Sequence, residues 1–399
     1  MRKPLIRVAL AAGALLTAGL VASTAGSANA APAATHQGRH AVRVCPATGK
    51  PTIASCLSKV MVNRKGVVPD SSTPPSSAMS PTDLKAAYNL SGLSSGGRTV
   101  AVVDAYGYPN LESDLATYRS YYKLPACTTA NGCLKVVDQN GGTSLPRFDS
   151  GWAGEQALDV DAVSAICPDC HILVVQAKTS SIANLGTAVN TAAKAGAVAI
   201  SNSYGGGDLS DNNYGSYYNH KGIAVTASTG DNGYQGGSFP ASSDYVTAVG
   251  GTSLYRSGSS YSESAWSGAG SGCSTVNAAL PEAATFGTGC SMRAIADVSA
   301  AADPNNGGMA VYYPTSKVNS TWAQVGGTSE SSPIIASVFA LAGSTYSGYS
   351  NAVPYQHATS LNDVTGGSNG TCPTTQWCNA RSGWDGPTGL GTPNGTGAF

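Results

Sequence analysis

The chain has 399 residues, no formal net charge at pH 7 and only 11% charged residues, against roughly 25% in an ordinary soluble domain. Because no stripe of Lys or Arg is present to neutralise phosphates, we expect it to bind neither nucleic acid nor charged membrane surfaces. A content of 42% hydrophobic residues argues against disorder. The length suits one large domain or two of average size.

Residues 1–30 have the pattern of a secretory signal peptide. A positively charged start precedes an apolar stretch over residues 8–21, and Ala28-Asn29-Ala30 forms a small-x-small cleavage site. The apolar stretch is too short to span a bilayer comfortably. We therefore predict a secreted, extracellular protein with no stable membrane association.

The ten cysteines fall into five couples that are close in sequence. An even number of cysteines in an exported protein favours disulfides. Spacing alone does not prove connectivity, but we predict pairing between neighbours: Cys45/Cys56, Cys127/Cys133, Cys167/Cys170, Cys273/Cys290 and Cys372/Cys378.

Residues 31–81 are predicted to form a short N-terminal segment that ends in a Pro/Ser-rich linker. Beyond it, β-branched runs of strand length alternate with helical stretches. Strands are predicted at 98–104, 171–177, 197–203, 222–228 and 245–251, and helices at 111–122, 153–167 and 182–196. Residues 255–292, rich in Ser and Gly, are predicted to form surface loops.

Nearly continuous apolar strands that alternate with helices are typical of a parallel sheet covered on both faces. We therefore predict an α/β fold with a doubly wound, mostly parallel sheet flanked by helices. Such sheets carry their chemistry at the carboxyl ends of the strands, which directs attention to the residues that follow each run.

Ser329 is the candidate nucleophile. It stands in a Gly-Gly-Thr-Ser-Glu-Ser-Ser-Pro stretch before an apolar run that predicts a buried helix. A serine at the start of a helix lies near backbone N–H groups that can stabilise an oxyanion. Ser and Thr also cap helices, so this stretch by itself leaves both interpretations open.

Carboxylates are better placed than histidines to act as the base. None of the five histidines stands in a helix-opening His-Gly-Thr context. Glu155 and Asp159 are four residues apart on a mostly apolar predicted helix and so share one face, whereas Asp161 is rotated away. Asp231 follows a predicted strand. The alternative interpretation of Glu155 and Asp159 is a solvated acidic edge, and that of Asp231 is an ordinary turn.

Together these motifs resemble the sedolisins, the serine-carboxyl peptidases with a subtilisin-like fold. The matching features run from about residue 84 to residue 399 in the order of the family, and imply a peptidase domain over residues 82–399. The resemblance implies that Ser329 is the nucleophile, Glu155 the general base, Asp159 the residue that orients Glu155, and Asp231 the acid on the oxyanion side.

This chemistry predicts peptide hydrolysis through an acyl-enzyme, with an acidic optimum. Asp231 can donate to an oxyanion only while it is protonated. Clustered carboxyls share protons, so at least one pKa in the cluster should rise. Polypeptides are the expected substrates and a monomer is the expected state.

The resemblance also implies Ca²⁺ binding by loops near the C-terminus. Asp363 and Asp385 would contribute side chains, and Val364, Arg381 and Gly383 would contribute carbonyl oxygens. Ordinary turns are the alternative interpretation of these loops.

The segment that carries Ser201, Ser203 and Gly205 is similar to the one that flanks the substrate in the family. We expect a peptide substrate to add as a strand beside it.

Two departures from the family pattern stand out. Only about fifty residues separate the predicted cleavage site from residue 80, in place of a folded propeptide, so the sequence does not predict self-inhibition or self-processing. Glu330 replaces the small residue that commonly follows the nucleophile, where it would alter the pH profile, shape the primed-side pocket or face solvent.

Other functions are kept as alternatives. A catalytically silent, secreted binding protein could retain the same scaffold. A subtilisin-type neutral protease would use Asp104, after the first strand, with an unrecognised histidine. Cys167-Pro-Asp-Cys170-His171 matches c-type haem attachment, and its two cysteines a thioredoxin-like dithiol.

Overall fold

A computed structural model describes Met1 and residues 38–399, so the predicted signal peptide lies outside the described residues apart from Met1. The α-helices are α1 (Pro81–Ala87), α2 (Leu111–Tyr121), α3 (Ser150–Ile166), α4 (Ile182–Lys194), α5 (Asp211–Tyr214), α6 (Thr328–Ala342) and α7 (Ala352–Gln356). Within the described range, no helix is long and apolar enough to cross a bilayer.

The strands, in chain order, are β1 (His40–Arg43), β2 (Ser55–Cys56), β3 (Lys59–Val62), β4 (Thr99–Ala105), β5 (Leu134–Asp138), β6 (His171–Ala177), β7 (Ala199–Asn202), β8 (Tyr204–Gly205), β9 (Ala224–Ser228), β10 (Thr247–Ser257), β11 (Ser260–Ala265), β12 (Gly272–Cys273), β13 (Ala294–Ile295), β14 (Val298–Ala301), β15 (Met309–Pro314), β16 (Ser320–Gly326), β17 (Leu361–Asn362) and β18 (Thr392–Pro393). The five predicted strands and three predicted helices are all present, with ends shifted by a few residues.

The central sheet has the strand order β11-β10-β9-β7-β4-β6-β5, with β14 also paired to β10. All of its pairings are parallel except that of β10 with β11. Alternate residues of β4 enter two different cores: Val100 and Val102 pack with α3 and α6, whereas Ala101 and Val103 pack with α4. This alternation buries both faces of the sheet, and the predicted α/β fold is confirmed.

The prediction of surface loops over residues 255–292 is wrong at its beginning. Strand β10 continues to Ser257 and returns as β11, so the segment opens with an antiparallel hairpin. Serine alternates with larger side chains along β11, and a strand with one solvated face tolerates that pattern. The same reason explains why β5 was missed. It does not apply to the β15–β16 hairpin, which is almost wholly buried.

The segment that precedes the Pro/Ser-rich run contributes three strands. β3 pairs with β1 on one side and with β16 on the other, and the order of this sheet is β1-β3-β16-β15. β2 pairs with β8, which follows directly on a strand of the central sheet. Residues 40–62 are therefore held by the β1-β3-β16-β15 sheet and by a separate two-stranded pairing with β8.

All five predicted disulfides are present, and no described cysteine is free. Cys167 and Cys170 are bonded to each other, so neither thiol can form a thioether to haem. Cys45–Cys56 joins the region after β1 to β2.

A fully buried ion pair joins the end of the central sheet to the C-terminal helices. Arg293 donates to both carboxylate oxygens of Asp297 and to the backbone carbonyl of Val246, and Asp297 also accepts from Tyr355. Removal of one partner of such a pair leaves an uncompensated buried charge.

Replacing Arg293 by Met should therefore lower the free energy of unfolding by about 3–5 kcal/mol. The matched control is Arg256→Met, which breaks the partly exposed Arg256–Asp83 pair and should cost under about 1 kcal/mol. Urea unfolding of both variants at one pH measures the difference. Equal losses would show that the buried pair has no special structural role.

Candidate active site

Ser329 lies in the first turn of α6, directly after the sharp turn that ends β16. Gly327 forms this turn with φ of 109°, a conformation that favours glycine. A Cβ at Gly327 would lie 2.4 Å from the carbonyl oxygen of Leu57 and 2.6 Å from Oδ2 of Asp231. A side chain at this position would fill the space in front of Ser329. The Ser329 side chain is itself fully buried, and its Oγ donates to the carbonyl oxygen of Ser203 at 3.1 Å.

Glu155 and Asp159 lie one turn apart on α3, and both are fully buried. Oε2 of Glu155 accepts a hydrogen bond from the Ser58 hydroxyl, and Oε1 has no partner. Oδ1 of Asp159 accepts from the Ser203 hydroxyl at 2.7 Å, and Oδ2 has no partner. The alternative interpretation of a solvated acidic edge is therefore wrong.

Asp231 follows β9 and approaches the same pocket from the sheet edge. Its Oδ1 accepts from the backbone N–H of Thr328 at 2.8 Å and from the Thr328 hydroxyl at 3.0 Å. Its Oδ2 is buried without a partner, beside Gly327. The N–H of Ser329 donates to the carbonyl oxygen of Leu57 at 2.9 Å. The Leu57 carbonyl oxygen and Asp231 Oδ2 thus both lie close to the position that a Cβ on Gly327 would take.

Asp104, at the end of β4, is a further member of the cluster. It is fully buried, and neither carboxylate oxygen has a hydrogen-bond partner. Burial raises the pKa of Asp104 to about 8. Asp104 enters the sequence-based prediction only through the subtilisin-type alternative. Its position at the carboxyl end of a predicted strand was the signal that could have added it to the carboxylate group.

Burial is also the main cause of the other pKa shifts. It raises the pKa of Glu155 and of Asp159, and the charge of Asp104 acts in the same direction on both. The Ser329 hydroxyl opposes the shift at Glu155 by stabilising the ionised carboxylate. Burial raises the pKa of Asp231 to about 6, although Lys59 and the bonds from Thr328 act in the opposite direction. These carboxyl groups therefore keep their protons to higher pH than they would in water.

No histidine within residues 38–399 is hydrogen-bonded to Ser329. His171 is exposed at the start of β6, and His220 pairs with the Tyr217 carbonyl. The imidazole that a subtilisin-type site requires is not supplied by the described residues. Glu155 lies beside the Ser329 hydroxyl, whereas Asp159 and Asp231 are bonded to Ser203 and Thr328, the immediate neighbours of Ser329.

Ser203 and Gly205 flank the cleft, but Ser201 does not. The Ser203 carbonyl accepts from the Leu57 N–H at 3.2 Å, and Gly205 pairs with Ser55 in the β2–β8 ladder. The structure places Ser201 elsewhere: its hydroxyl lies 2.9 Å from that of Ser332, inside the interface between β7 and α6. The resemblance treats all three positions alike, but Ser201 lies within β7, which α6 covers, whereas Ser203 and Gly205 lie beyond the end of that strand.

Glu330 is fully buried, so the interpretation that it faces solvent is wrong. Burial raises its pKa, and its carboxyl lies beside the Met309 backbone and near Asp303.

The predicted calcium residues lie in one C-terminal loop region. Asp363 accepts from the Gly383 N–H at 3.0 Å, and Asp385 accepts from the Arg381 N–H at 3.1 Å. Val364 is buried, and Arg381 is exposed with its Nε directed to the Ser382 carbonyl.

These residues fit the chemistry of calcium. Burial raises the pKa of Asp385 to about 7, and the nearby charge of Asp363 acts in the same direction. A cation between the two carboxylates would relieve this repulsion. Residues 38–399 contain no cluster of three or more His, Cys, Asp or Glu side chains fit to hold a metal. Backbone carbonyl oxygens would therefore have to complete the coordination.

Comparison with known proteins identifies the family. The profile of the subtilase family (Peptidase_S8) matches residues 149–371. The chain belongs to the subtilase family. Its members are serine-type peptidases, and the matched region contains Glu155, Asp159, Asp231 and Ser329.

Among curated proteins, the chain is similar to kumamolisin from Bacillus sp. (strain MN-32), with 29% identity over 358 residues. The match covers 80% of this chain and 62% of kumamolisin, so the chain spans under two thirds of the length of that relative. A shorter match, 42% identical over 98 residues, joins 23% of the chain to 14% of the tripeptidyl-peptidase SED1 of Arthroderma otae.

Among solved structures, Pseudomonas sedolisin, a serine-carboxyl proteinase complexed with two molecules of pseudo-iodotyrostatin, shares the fold. The TM-score is 0.68 at 24% identity, over 80% of this chain and 96% of that one. A lanthipeptide protease gives a TM-score of 0.51 at 15% identity, over 80% and 92% of the two chains. The predicted resemblance to the sedolisins and the predicted subtilisin-like fold are confirmed.

The raised pKa values of the buried carboxyls predict how the stability of the fold depends on pH. Above about pH 4 the carboxyls of the unfolded chain ionise, whereas Asp231 and Asp104 keep their protons in the folded protein up to about pH 6 and about pH 8. The folded state then binds more protons than the unfolded state, so stability falls as pH rises through this window.

We expect Tm to decrease between pH 4 and pH 8, by on the order of 5 °C. Asp104→Asn should flatten this dependence because it removes one titrating group, whereas the exposed control Asp70→Asn should leave it unchanged. Calorimetry at a series of pH values measures it. A Tm that increases from pH 4 to pH 8 would contradict the role of these groups.

Proposed function

We propose that the chain is a secreted serine-carboxyl endopeptidase that hydrolyses polypeptides at acidic pH. The observation that carries the proposal is that Glu155, Asp159 and Asp231 are buried beside Ser329 or its immediate contacts, and that each keeps one carboxylate oxygen without a partner. Membership of a serine peptidase family gives the reaction class. Serine needs a neighbouring base to become a nucleophile, and Glu155 is the group best placed to act as one.

Glu155 would act as the general base in the microstate in which it is ionised and a neighbouring carboxyl, Asp159 or Asp104, holds the proton. The Ser329 Oγ now donates to the Ser203 carbonyl, and rotation about its Cα–Cβ bond would redirect the proton to Glu155. Attack on the peptide carbonyl then forms the acyl-enzyme, and Glu155 returns the proton to the leaving amine. Asp159 lies one turn away on α3. It would orient Glu155 and influence its ionisation within the buried carboxyl cluster.

Asp231 would stabilise the oxyanion together with the backbone N–H of Ser329. A carboxyl group can donate to an oxyanion only in its neutral form, and burial favours that form at Asp231. Preorganised donors of this type are among the largest contributions to acyl transfer. An acidic optimum follows, because ionisation of Asp231 removes one donor.

Secretion is supported by the signal-peptide pattern over residues 1–30 and by five disulfides. We propose a monomer that acts on polypeptides outside the cell. A catalytically silent protein is the second candidate, and the observation in its favour is that residues 55–59 fill the cleft.

Substitutions at Glu155 and Asp231 test the mechanism. Glu155→Gln should lower kcat/KM on a quenched peptide about 10³-fold, because the general base is lost. Ser329→Ala should abolish turnover. Glu112→Gln, a carboxyl-to-amide change on α2, is the matched control and should leave kcat/KM unchanged.

The pH profile gives the sharper readout. We expect the rate of the unaltered chain to fall above about pH 6, where Asp231 ionises. Asp231→Asn keeps a donor that does not titrate in this range, so the fall should shift to higher pH or disappear. A wild-type maximum above neutrality would contradict the proposal.

We also propose that Asp363 and Asp385, with the carbonyl oxygens of Val364, Arg381 and Gly383, bind a structural Ca²⁺. When bound, the ion would supply positive charge between two carboxylates and tie the loops together. Calcium at about 100 times its Kd should then stabilise the fold by about 2.7 kcal/mol.

Thermal unfolding of the unaltered chain with calcium or with a chelator measures this effect. Chelation should lower Tm by several degrees, and Asp385→Ala should remove the response. The control Asp70→Ala, at an exposed carboxylate, should retain it. A Tm that does not depend on calcium would exclude the site.

A further inference from the structure

A second cavity lies at the end of the central sheet opposite to the candidate active site. It has a volume of about 680 Å³. Asp104 and Asp231 lie at the carboxyl ends of β4 and β9, whereas Tyr245, which lines the cavity, precedes the start of β10. Because β10 runs parallel to β9, its start lies at the amino end of the sheet. The cavity shares no lining residue with the cleft in front of Asp231.

Three tyrosines line this cavity: Tyr245, Tyr346 and Tyr349. The ring centroids of Tyr245 and Tyr349 are 5.0 Å apart, with their planes inclined by 58°. The faces of aromatic rings carry negative partial charge and attract cations without a hydrogen bond. One such contact is already present, because Lys221 Nζ lies 5.7 Å from the centroid of the Tyr349 ring.

Asp244 brings a carboxylate without a counter-charge into the same wall. Its carboxylate accepts no hydrogen bond and forms no ion pair with a described cation. Oδ1 is closed off from solvent, so Oδ2 is the oxygen that is open to the cavity. Arg293 acts on Asp244 only from a distance, since its guanidinium is paired with Asp297. The charge therefore loses hydration that the described part of the chain does not replace.

The backbone holds Asp244 in place without using its carboxylate. The N–H of Asp244 donates to Oδ2 of Asp211 at 2.8 Å, and its carbonyl accepts from the Asn351 side chain at 2.8 Å. Asp211 also accepts from the Ser243 hydroxyl. The carboxylate of Asp244 is thus preorganised, which lowers the cost of ordering a bound ligand.

The charges that line the cavity select a cation. Glu282, at the start of a short 3-10 turn, is the second carboxylate in the wall and has no ion-pair partner among the described residues. None of the lining residues is Lys, Arg or His. Two carboxylates among aromatic rings do not supply the six or more oxygen ligands of Ca²⁺. An organic cation fits these walls better than a metal ion.

We propose that this cavity binds a primary alkylammonium group, held by Oδ2 of Asp244 and by the faces of Tyr245, Tyr346 and Tyr349. A guanidinium group is best bound through both oxygens of a carboxylate, and Oδ1 of Asp244 is closed off. An ammonium group needs only one oxygen. This inference does not depend on the proposed function.

The site should be occupied at neutral pH and emptied in acid. Burial raises the pKa of Asp244 to about 6, the charge of Asp211 acts in the same direction, and Arg293 opposes it. An ammonium group binds the ionised carboxylate, so affinity rises with pH through this value. Burial also raises the pKa values of Tyr245 and Tyr349, so both rings stay neutral over this range.

Calorimetric titration with butylammonium at pH 8 tests the site. The full chain carries Ser329→Ala, which prevents self-digestion during the titration. We expect saturable binding, with a Kd at least ten-fold weaker in Asp244→Asn, because the amide keeps the shape but removes the charge. Asp70→Asn, at an exposed carboxylate, is the matched control and should leave Kd unchanged. Absence of saturable binding, or an equal Kd in Asp244→Asn, would overturn the proposal.

A second variant guards against a failure of Asp244→Asn to fold. Tyr245→Leu removes one aromatic face from the half-buried wall and should weaken butylammonium binding at least three-fold. Butylguanidinium should bind the unaltered cavity at least ten-fold more weakly than butylammonium. Equal affinities for the two cations would contradict the role of a single open oxygen.

The source of the ammonium group is distinguished by two further ligands. A capped tripeptide with a central lysine should bind at least as tightly as butylammonium if the cavity takes a lysine side chain of a polypeptide. Binding of a free diamine without binding of the tripeptide would assign the cavity to small amines. The same tripeptide with glutamine in place of lysine is the control, and tight binding of it would overturn the proposal.

The pH dependence of Kd gives an independent readout. Between pH 5 and pH 8 the affinity for butylammonium should rise about ten-fold, because the ionised fraction of a carboxyl with a pKa of about 6 rises from roughly a tenth to nearly one. Asp244→Asn should remove this dependence. Tighter binding at pH 5 than at pH 8 would contradict the assignment of Asp244.

Discussion

The burial of carboxyl groups around one hydroxyl is the constraint on which the rest of the structure depends. Glu155, Asp159 and Asp104 are shielded from water, and none of them forms an ion pair. A carboxylate in such surroundings loses hydration that a few hydrogen bonds do not replace, so its proton is retained to higher pH. The same physical cause underlies both the proton transfer proposed for the cluster and the predicted gain in stability in acid.

A large apolar framework offsets the cost of this cluster. The central sheet is covered on both faces, and α3 and α6 bring Glu155 and Ser329 together across the core beneath β4. Glu155 and Asp159 share the inner face of α3, and Asp231 follows the carboxyl end of β9. Gly327, which has no side chain, leaves space beside Asp231. Small changes in helix position would separate these groups, and the tightly packed interior prevents such movement.

Residues 55–59 form the hydrogen bonds that a bound external peptide would form. Strand pairing with β8, the Ser203 carbonyl and the Ser329 N–H are all satisfied by the chain itself. A site with these donors and acceptors buried and unpaired would be costly, so occupation by the segment stabilises the protein while it closes the cleft. The backbone groups that a bound peptide would need are therefore already paired within the chain.

Much of the fold and the identity of the acidic residues could be predicted from local pattern. The spacing of the apolar residues predicted the alternating strands and helices. The four-residue spacing of Glu155 and Asp159 placed them on one helix face. Closeness in sequence predicted the disulfide pairs. Short strands with one solvated face, such as β5 and β11, carried too weak a pattern. Asp104, Ser201 and the buried setting of Glu330 could not be assigned correctly, because burial and side-chain direction depend on which elements pack together.

The sequence by itself determined the chemical types available: a serine after paired glycines, acids at helical and strand-end spacing, and a short segment before the Pro/Ser-rich run. Only the tertiary structure decided that this short segment lies in the cleft with Leu57 against Ser329. The reason is that β2 and β3 pair with strands about 150 and 265 residues further along the chain. A local sequence pattern cannot specify a strand partner so far along the chain. In the folded protein, the unpaired edges of the sheets offer the hydrogen bonds that select β2 and β3.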